Sequence, residues 1–345
     1  LKTRFPKNAR AFEEEADMIV QVATERFMGI RETALNQDYQ DRDGMWFVES
    51  GLVDPVNPFV KKEPHPERKF LDGSFRIICG VSLIDQIIDR LLFDNFAKVC
   101  KRLYPSLAAT IGLGFHDDGI KTLVEMMEVR LGTSNERVSS DVEGFEKGSA
   151  EPVQIPVIEA FFARATNRRA HKPWLLMMLL RLRTLSKSVF AVNNQLIQKI
   201  VDGQQISGTF WTSYLNSFVR IYLAFNAKSE NVAANGDDAN ELTHLDDVAM
   251  IQAYKALNVN LRDVQRYDGT FEFCSHRYYY NKTSRQHEAS LENWAKCFYK
   301  MFSKSKIDFQ QVFSVMQEIK YCNEDVKGKF AKLLSIAGAN GVLVD

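Results

Sequence analysis

The sequence predicts an α+β fold in which helices outnumber strands. Apolar residues recur at helical spacing over several long stretches, short β-prone runs are bounded by Gly, Asn and Asp, and no internal repeat or low-complexity linker interrupts the 345 residues. That length holds one elaborated domain or two. Phe12, Ala16, Ile19, Val20, Ala23 and Phe27 set a helix over 11–28, and a turn-rich stretch follows over 36–58. Residues 70–80 read as extended and 82–104 as a long amphipathic helix with Leu83, Ile87, Leu91 and Leu92 on one side. The stretch 155–200 is largely helical with a break at Pro173. Residues 203–241 combine a Gly/Ser turn, a helix over 214–225 and an apolar–turn–apolar unit around Asn235-Gly-Asp-Asp238. Two capped helices follow, one led by Ser290 into Leu291, Trp294, Phe298 and Met301, the other opened by Asp308 with Gln311 into Phe309, Val312, Phe313 and Met316.

Charge is informative only when resolved along the chain. The totals, 44 Lys plus Arg against 44 Asp plus Glu, give no net charge, which taken alone argues against a dedicated nucleic-acid binder. Neutrality is a cancellation between blocks, however. Residues 160–201 carry Arg164, Arg168, Arg169, Lys172, Arg181, Arg183, Lys187 and Lys199 with no acid, whereas 229–254 carry Glu230, Asp237, Asp238, Glu241, Asp246 and Asp247 with no Lys or Arg. A third block, 116–151, is also predominantly acidic. Each block alone is also explained by a solvated helix face. Together they suggest carboxylates gathered for metal beside a positive surface for a polyanion.

The 5 cysteines are scattered without a C-x-x-C pair, so a disulfide framework or structural zinc is disfavoured and a reducing compartment expected. The longest apolar run, residues 174–180, is far short of the roughly 20 residues of a membrane span. The chain begins at Leu1 without a secretory pattern, and is expected to be part of something longer.

Four segments carry chemistry. Gly236-Asp237-Asp238 fits a tight hairpin with Gly at the turn, although a surface turn reads the same way. Asp141, in Ser140-Asp-Val-Glu-Gly-Phe-Glu146, offers a second carboxylate. Two such carboxylates ~4 Å apart would repel by roughly 4 kcal/mol at an effective dielectric of 20, a sign that a divalent ion reverses. Hard carboxylate oxygens suit Mg²⁺, which works with phosphates. In Ser207-Gly-Thr-Phe-Trp-Thr-Ser-Tyr-Leu-Asn216, Thr212 and Asn216 stand at i and i+4 and share a helical face able to hydrogen-bond a sugar, or simply to face solvent. Lys61, Lys62, Lys69 and Arg76 are spread over a segment interrupted by two prolines and could line a triphosphate channel.

In this order the pieces resemble the RNA-directed RNA polymerases of positive-strand RNA viruses. The resemblance to the sobemovirus, polerovirus and barnavirus group is closest, through Phe59-Val-Lys61, Glu63-Pro-His65, Arg76-Ile-Ile78 and Val81-Ser-Leu-Ile-Asp-Gln86, and it extends to Phe271-Glu-Phe-Cys-Ser-His276, which looks like the family's primer-grip strand. It implies a right-hand fold with fingers over 1–134 and 152–202, palm over 135–151 and 203–275, and a small thumb over 276–345. Asp141 and Asp237, with Asp238 as a lesser contributor, would hold two Mg²⁺ (or Mn²⁺) ions roughly 3.5–4 Å apart. Lys61, Lys69 and Arg76 would neutralise the triphosphate. Ser207, Gly208, Thr212, Asn216 and Glu146 would bind the nucleotide, with Thr212, Asn216 and Glu146 inspecting its 2′-hydroxyl. Arg164, Arg168, Arg169, Lys172, Arg181 and Arg183 would contact template phosphates, and Cys274 and Ser275 the primer.

The implied partners are an RNA template, a primer or nascent strand, ribonucleoside triphosphates, and a protein primer or other replication proteins, in the cytoplasm of an infected cell. Two departures stand out: Glu146 where the family most often has Asp, and Arg262 near the place of its general-acid Lys, so that either Lys255 substitutes or Arg262 only stabilises charge. They motivate an alternative, a polymerase-like protein that binds RNA or nucleotide without extending a primer. A reverse transcriptase fits Asn216 and the Gly-Asp-Asp triplet less well.

Overall fold

A computed structural model of the chain describes residues 15–343 other than 66, 74, 113, 146–150, 164–167, 200–202 and 204–205. The elements in order are α1 (Ala16–Asn36), α2 (Gly44–Glu49), β1 (Asn57–Val60), α3 (Glu67–Leu71), β2 (Ile77–Gly80), α4 (Leu83–Leu103), α5 (Asp117–Leu131) and β3 (Arg137–Glu143). Next come α6 (Glu151–Ala163), α7 (Arg168–Ser186), β4 (Val189–Val192), β5 (Gln195–Gln198), α8 (Thr212–Asn226), β6 (Asn231–Asn235), β7 (Asp238–Leu242) and α9 (Asp247–Ala256). The chain closes with β8 (Asn260–Arg266), β9 (Thr270–Phe273), β10 (His276–Asn281), β11 (Gln286–Leu291), α10 (Trp294–Phe302), α11 (Phe309–Glu318) and α12 (Glu324–Ala339). The mixed, helix-rich class expected from the sequence is observed. The chain divides into two compact units, one of Leu1–Val60, Ile77–Val99 and Gly144–Val219, the other of Lys61–Arg76, Cys100–Glu143 and Arg220–Asp345.

In the first unit α1 packs on α7 around a buried charge network. Arg26 pairs with Asp54 at 2.8 Å and Asp85 at 3.2 Å, and Arg181 with Asp85 at 2.9 Å and Asp89 at 2.7 Å. This network, together with buried Met177, Met178, Leu182 and Leu185, explains why α7 continues through Pro173 instead of breaking there. Tertiary packing outweighs the roughly 3 kcal/mol cost of a mid-helix proline. The end of the stretch expected to be helical forms the β4–β5 hairpin. Antiparallel β1 and β2 register Phe59 opposite Ile78. The expected extended run over 70–80 is shorter, because α3 occupies 67–71.

In the second unit the central sheet has the order β6-β7-β3-β8, all antiparallel. Helix α5 buries Leu123, Val124, Met127 and Leu131 in one cluster with Phe271, Phe273, Tyr278 and Ala289 of the β9–β10–β11 sheet. Ser290 is not a helix cap: it pairs with Arg277 in the β10–β11 ladder. Buried Ala289 and Leu291 alternate there with period two, and the helix starts three residues later, at Trp294. Asp308 does cap α11, accepting from the Gln311 backbone N–H at 2.8 Å and from its side chain at 2.9 Å; both bonds run to the Asp308 carboxylate, so the cap forms without the return bond to the Asp308 backbone that a capping box has.

Candidate active site

Strand β3 and the β6–β7 hairpin build the site. Ser140 pairs with Ala239, so the register carries Asp141 and Asp238 to the same end of neighbouring strands. Asn235 pairs with Asp238 across a two-residue turn, and Gly236 takes φ +66 at its first position, as a II′ hairpin requires of glycine. That turn lifts Asp237 to the exposed edge, while Asp238 stays mostly covered. Burial first, then the charges of Asp237 and Asp141, push the Asp238 carboxyl from 3.8 to about 7. The structure thus brings together the three carboxylates that the sequence separates by almost a hundred positions.

Metal fit follows from the donors. Oδ1 of Asp141 is buried without a hydrogen-bond partner, and the crowded negative charge at Asp238 is of the kind a cation relieves. Among the described residues no cluster of three or more His, Cys, Asp or Glu side chains closes around a metal position. An open edge of this kind suits Mg²⁺, which retains waters and takes one or two carboxylates together with substrate phosphates. Arg262, opposite Asp141 across β3 and β8, donates from Nε to Asp141 Oδ2 at 2.8 Å, and its Nη2 reaches the same oxygen. It supplies positive charge at a place where the sequence reading looked for a proton donor.

The expected primer-grip strand is a hairpin tip. β9 ends at Phe273 and β10 starts at His276, with Cys274 and Ser275 at φ +51 and +60, both in the left-handed region that type I′ turns demand. Burial, then Asp238 and Asp237, raise the Cys274 thiol well above its usual range, so this tip lies beside the carboxylates. His276 stacks on Phe115 at 4.1 Å and hydrogen-bonds the Cys274 carbonyl at 2.8 Å. Burial lowers its pKa. Of the expected triphosphate ligands, Lys61 at 3.1 Å and Arg76 at 3.6 Å converge on Glu63, which Lys296 also meets at 3.2 Å. Lys69 is half-buried on α3.

The remaining expected residues lie in the first unit. The Cys79 backbone N–H donates to Ser207 Oγ at 3.2 Å. A Cβ on Gly208 would stand 2.1 Å from the Cys79 carbonyl oxygen, so this position admits only glycine without movement of β2. Thr212 opens α8 and donates to the Ile206 and Thr209 carbonyls at 3.1 and 3.0 Å. Asn216, one turn on, is buried with Oδ1 unbonded. Glu146 and Arg164 lie outside the described residues. Arg168 and Arg169 belong to α7, and the described structure does not extend to their side chains. Lys172 is exposed, and Arg183 donates to the Gln40 carbonyl. Arg181 corrects the expectation: fully buried on Asp85 and Asp89, it cannot contact a template phosphate.

The sequence reading missed Arg220, Glu241, Tyr254, Ser140 and Ser229, which form a buried polar network beneath the hairpin. One signal was available: Arg220 follows Thr212 and Asn216 at the same four-residue interval.

Residues 141–294 match the family of viral RNA-directed RNA polymerases. The chain is 30% identical over 258 residues to the P1-P2 protein of Turnip yellows virus, 70% of this chain and 24% of that protein. It is 28% identical over 313 residues to the P1-P2 protein of Potato leafroll virus, 83% of this chain and 28% of that protein. Against the replicase polyprotein P2AB of Southern bean mosaic virus the identity is 27% over 311 residues, 86% and 30% of the respective chains. The chain thus spans about a quarter to a third of the length of these curated relatives. Since the matched stretch begins on Asp141 and takes in both the Asp237 turn and the Cys274 tip, the chain belongs to the viral RNA-directed RNA polymerase family, in the group of the poleroviruses and sobemoviruses.

Proposed function

We propose that the chain performs template-directed transfer of ribonucleotides to the 3′-hydroxyl of an RNA strand, for replication and transcription of a viral genome. The observation that carries this reading is the common edge of Asp141, Asp237 and Asp238, where burial and then the neighbouring carboxylates raise Asp238 to about 7, and where Asp141 Oδ1 is buried without a hydrogen-bond partner. Mg²⁺, or Mn²⁺ in its place, supplies Lewis-acid activation of the hydroxyl and neutralises charge on the triphosphate. Asp141 and Asp237 hold the metal, two ions in the full arrangement, and Asp238 contributes less. Lys61, Lys69 and Arg76 bind the triphosphate, while Arg262 stabilises charge rather than donating a proton, because a guanidinium is a poor acid at neutral pH.

Ser207, Gly208, Thr212 and Asn216, with Glu146, position the nucleotide, and Thr212, Asn216 and Glu146 read its 2′-hydroxyl. Arg164, Arg168, Arg169, Lys172 and Arg183 contact template phosphates, and the Cys274–Ser275 tip supports the primer end. In this reading residues 1–134 and 152–202 are fingers, 135–151 and 203–275 palm, and 276–345 thumb. A small thumb suits a primer-dependent or protein-primed start, in the cytoplasm of an infected cell, with other replication proteins as partners.

Primer extension on an RNA template tests the reading. Ribonucleotide incorporation should require Mg²⁺ or Mn²⁺, and Asp237→Ala should lower its rate by about a thousandfold, ~4 kcal/mol of transition-state stabilisation. Wild-type rates in Asp237→Ala would defeat the proposal, as would nucleotide binding without extension under either metal. Preference for deoxyribonucleotides would convert the reading to a reverse transcriptase.

A further inference from the structure

Arg220 lies on α8 with its side chain fully buried, where a guanidinium is tolerated only when its charge and its donors are satisfied. Its partners lie on four separate pieces of the second unit. Nε donates to the main-chain oxygen of Asp237 at 3.1 Å. Nη2 donates to Ser140 Oγ at 2.6 Å and Glu241 Oε1 at 2.7 Å. Nη1 donates to the Tyr254 hydroxyl. Glu241, equally buried, has both oxygens occupied: Oε1 also accepts from Ser140 at 3.0 Å, and Oε2 from Ser229 at 2.6 Å and Tyr254 at 2.7 Å. Arg220 therefore fastens the residue preceding Asp141 and the peptide of Asp237 to one rigid group. The fork geometry of arginine makes this possible, because its planar donors point in fixed, divergent directions.

We infer that Arg220, clamped by Glu241 and Tyr254, is a positioning residue that sets the spacing of the Asp141 and Asp237 carboxylates, and hence the affinity of the edge for a divalent cation. This rests on the reading of Asp141 and Asp237 as metal ligands. Glu241 compensates the charge, and any acceptors would satisfy the remaining donors; here they fall on the Asp237 carbonyl and the Ser140 hydroxyl, which ties the buried pair to both sides of the carboxylate edge. Groups that orient ligands without touching the ion typically alter metal affinity or activity 10- to 100-fold when changed.

Arg220→Lys tests the inference: it keeps the charge opposite Glu241 but cannot span Ser140, Asp237 and Tyr254 at once. Binding of Mn²⁺ alone, followed through the electron paramagnetic resonance signal of the free ion, reports on the carboxylate edge without any turnover. We expect Arg220→Lys to retain the near-ultraviolet circular dichroism of the wild type, to bind Mn²⁺ about tenfold more weakly, and to lose about tenfold in kcat with little change in nucleotide KM. Wild-type Mn²⁺ affinity in a folded Arg220→Lys protein overturns the inference, even if thermal stability has fallen. Should that variant not fold, Tyr254→Phe decides, since it removes one hydroxyl and leaves the charges paired. A weakening of Mn²⁺ binding by about threefold is expected of it, and unaltered binding overturns the inference. If the wild type binds Mn²⁺, Asp237→Ala abolishes that binding and Arg220→Lys weakens it, yet no primer is extended, the positioning role stands and the polymerase reading falls.

Discussion

Asp238 shows how a single residue changes character between sequence and structure. In the unfolded chain its carboxyl ionises near the ordinary 3.8; in the folded protein without metal, burial and its two acidic neighbours hold it near 7. Between those values the unfolded state gives up a proton that the folded state keeps, so this group makes stability fall as pH rises through the window. In the presence of a chelator, Asp238→Asn should therefore raise Tm by a few degrees at pH 8, with the gain shrinking toward pH 4. A gain that does not vary with pH would show that ionisation is not its cause. The identity of this residue and of Asp237 was legible in the sequence, because Gly-Asp-Asp after a small apolar run is a turn signal. Arg220 and Glu241 were not, since a buried ion pair has no local pattern and is recognised only when the two side chains meet.

At the scale of elements, backbone demands decide more than side-chain chemistry. Ser207-Gly208 reads as a flexible turn, yet its glycine is fixed by the close approach of the Cys79 carbonyl. Gly208→Ala forces β2 or the turn to move and should destabilise the protein by about 1–3 kcal/mol, measured by denaturant unfolding with an unchanged m-value. Gly236 has open space around its missing Cβ, so its glycine answers to φ alone. The Asp308 side chain caps α11 as its sequence pattern predicts, serving two donors of Gln311, and Asp308→Ala should cost about 1 kcal/mol in the same measurement. Ser290 carries the same local cap signal, but there the strand alternation of Ala289 and Leu291 prevails. Pro173 likewise predicts a helix break, because local sequence does not reveal the buried face and the Arg181 ion pairs that hold α7 together.

For the molecule as a whole, the distribution of charge matters more than its sum. The basic block splits into two kinds of residue. Arg181 pairs with Asp85 and Asp89 in a core; Arg181→Ala leaves Asp89 without its cation and Asp85 with Arg26 alone, and should cost ~3–5 kcal/mol of stability. Lys172 is exposed on the same helix. Lys172→Ala should leave stability unchanged, weaken RNA binding similarly for all sequences, and reduce the slope of log affinity against log salt by ~0.7. An unaltered slope, measured by fluorescence anisotropy across a salt series, would remove Lys172 from the proposed RNA surface.

By itself the sequence determined the class of fold, the hairpin that presents Asp237 and Asp238, the candidate partner Asp141, and the order of motifs that marks the polymerase resemblance. These are encoded in short windows, where turn chemistry, periodicity and motif order act without distant help. Only the tertiary structure decided that Arg181 belongs to a core, that Cys274 and Ser275 form a tip beside the carboxylates, that Arg262 pairs with Asp141, and that Arg220 holds both Ser140 of β3 and the Asp237 turn. Each of those outcomes depends on desolvation and on which charges meet after folding. Such interactions join residues as far apart as Ser140 and Arg220, or Asp141 and Arg262, and leave no trace in local spacing.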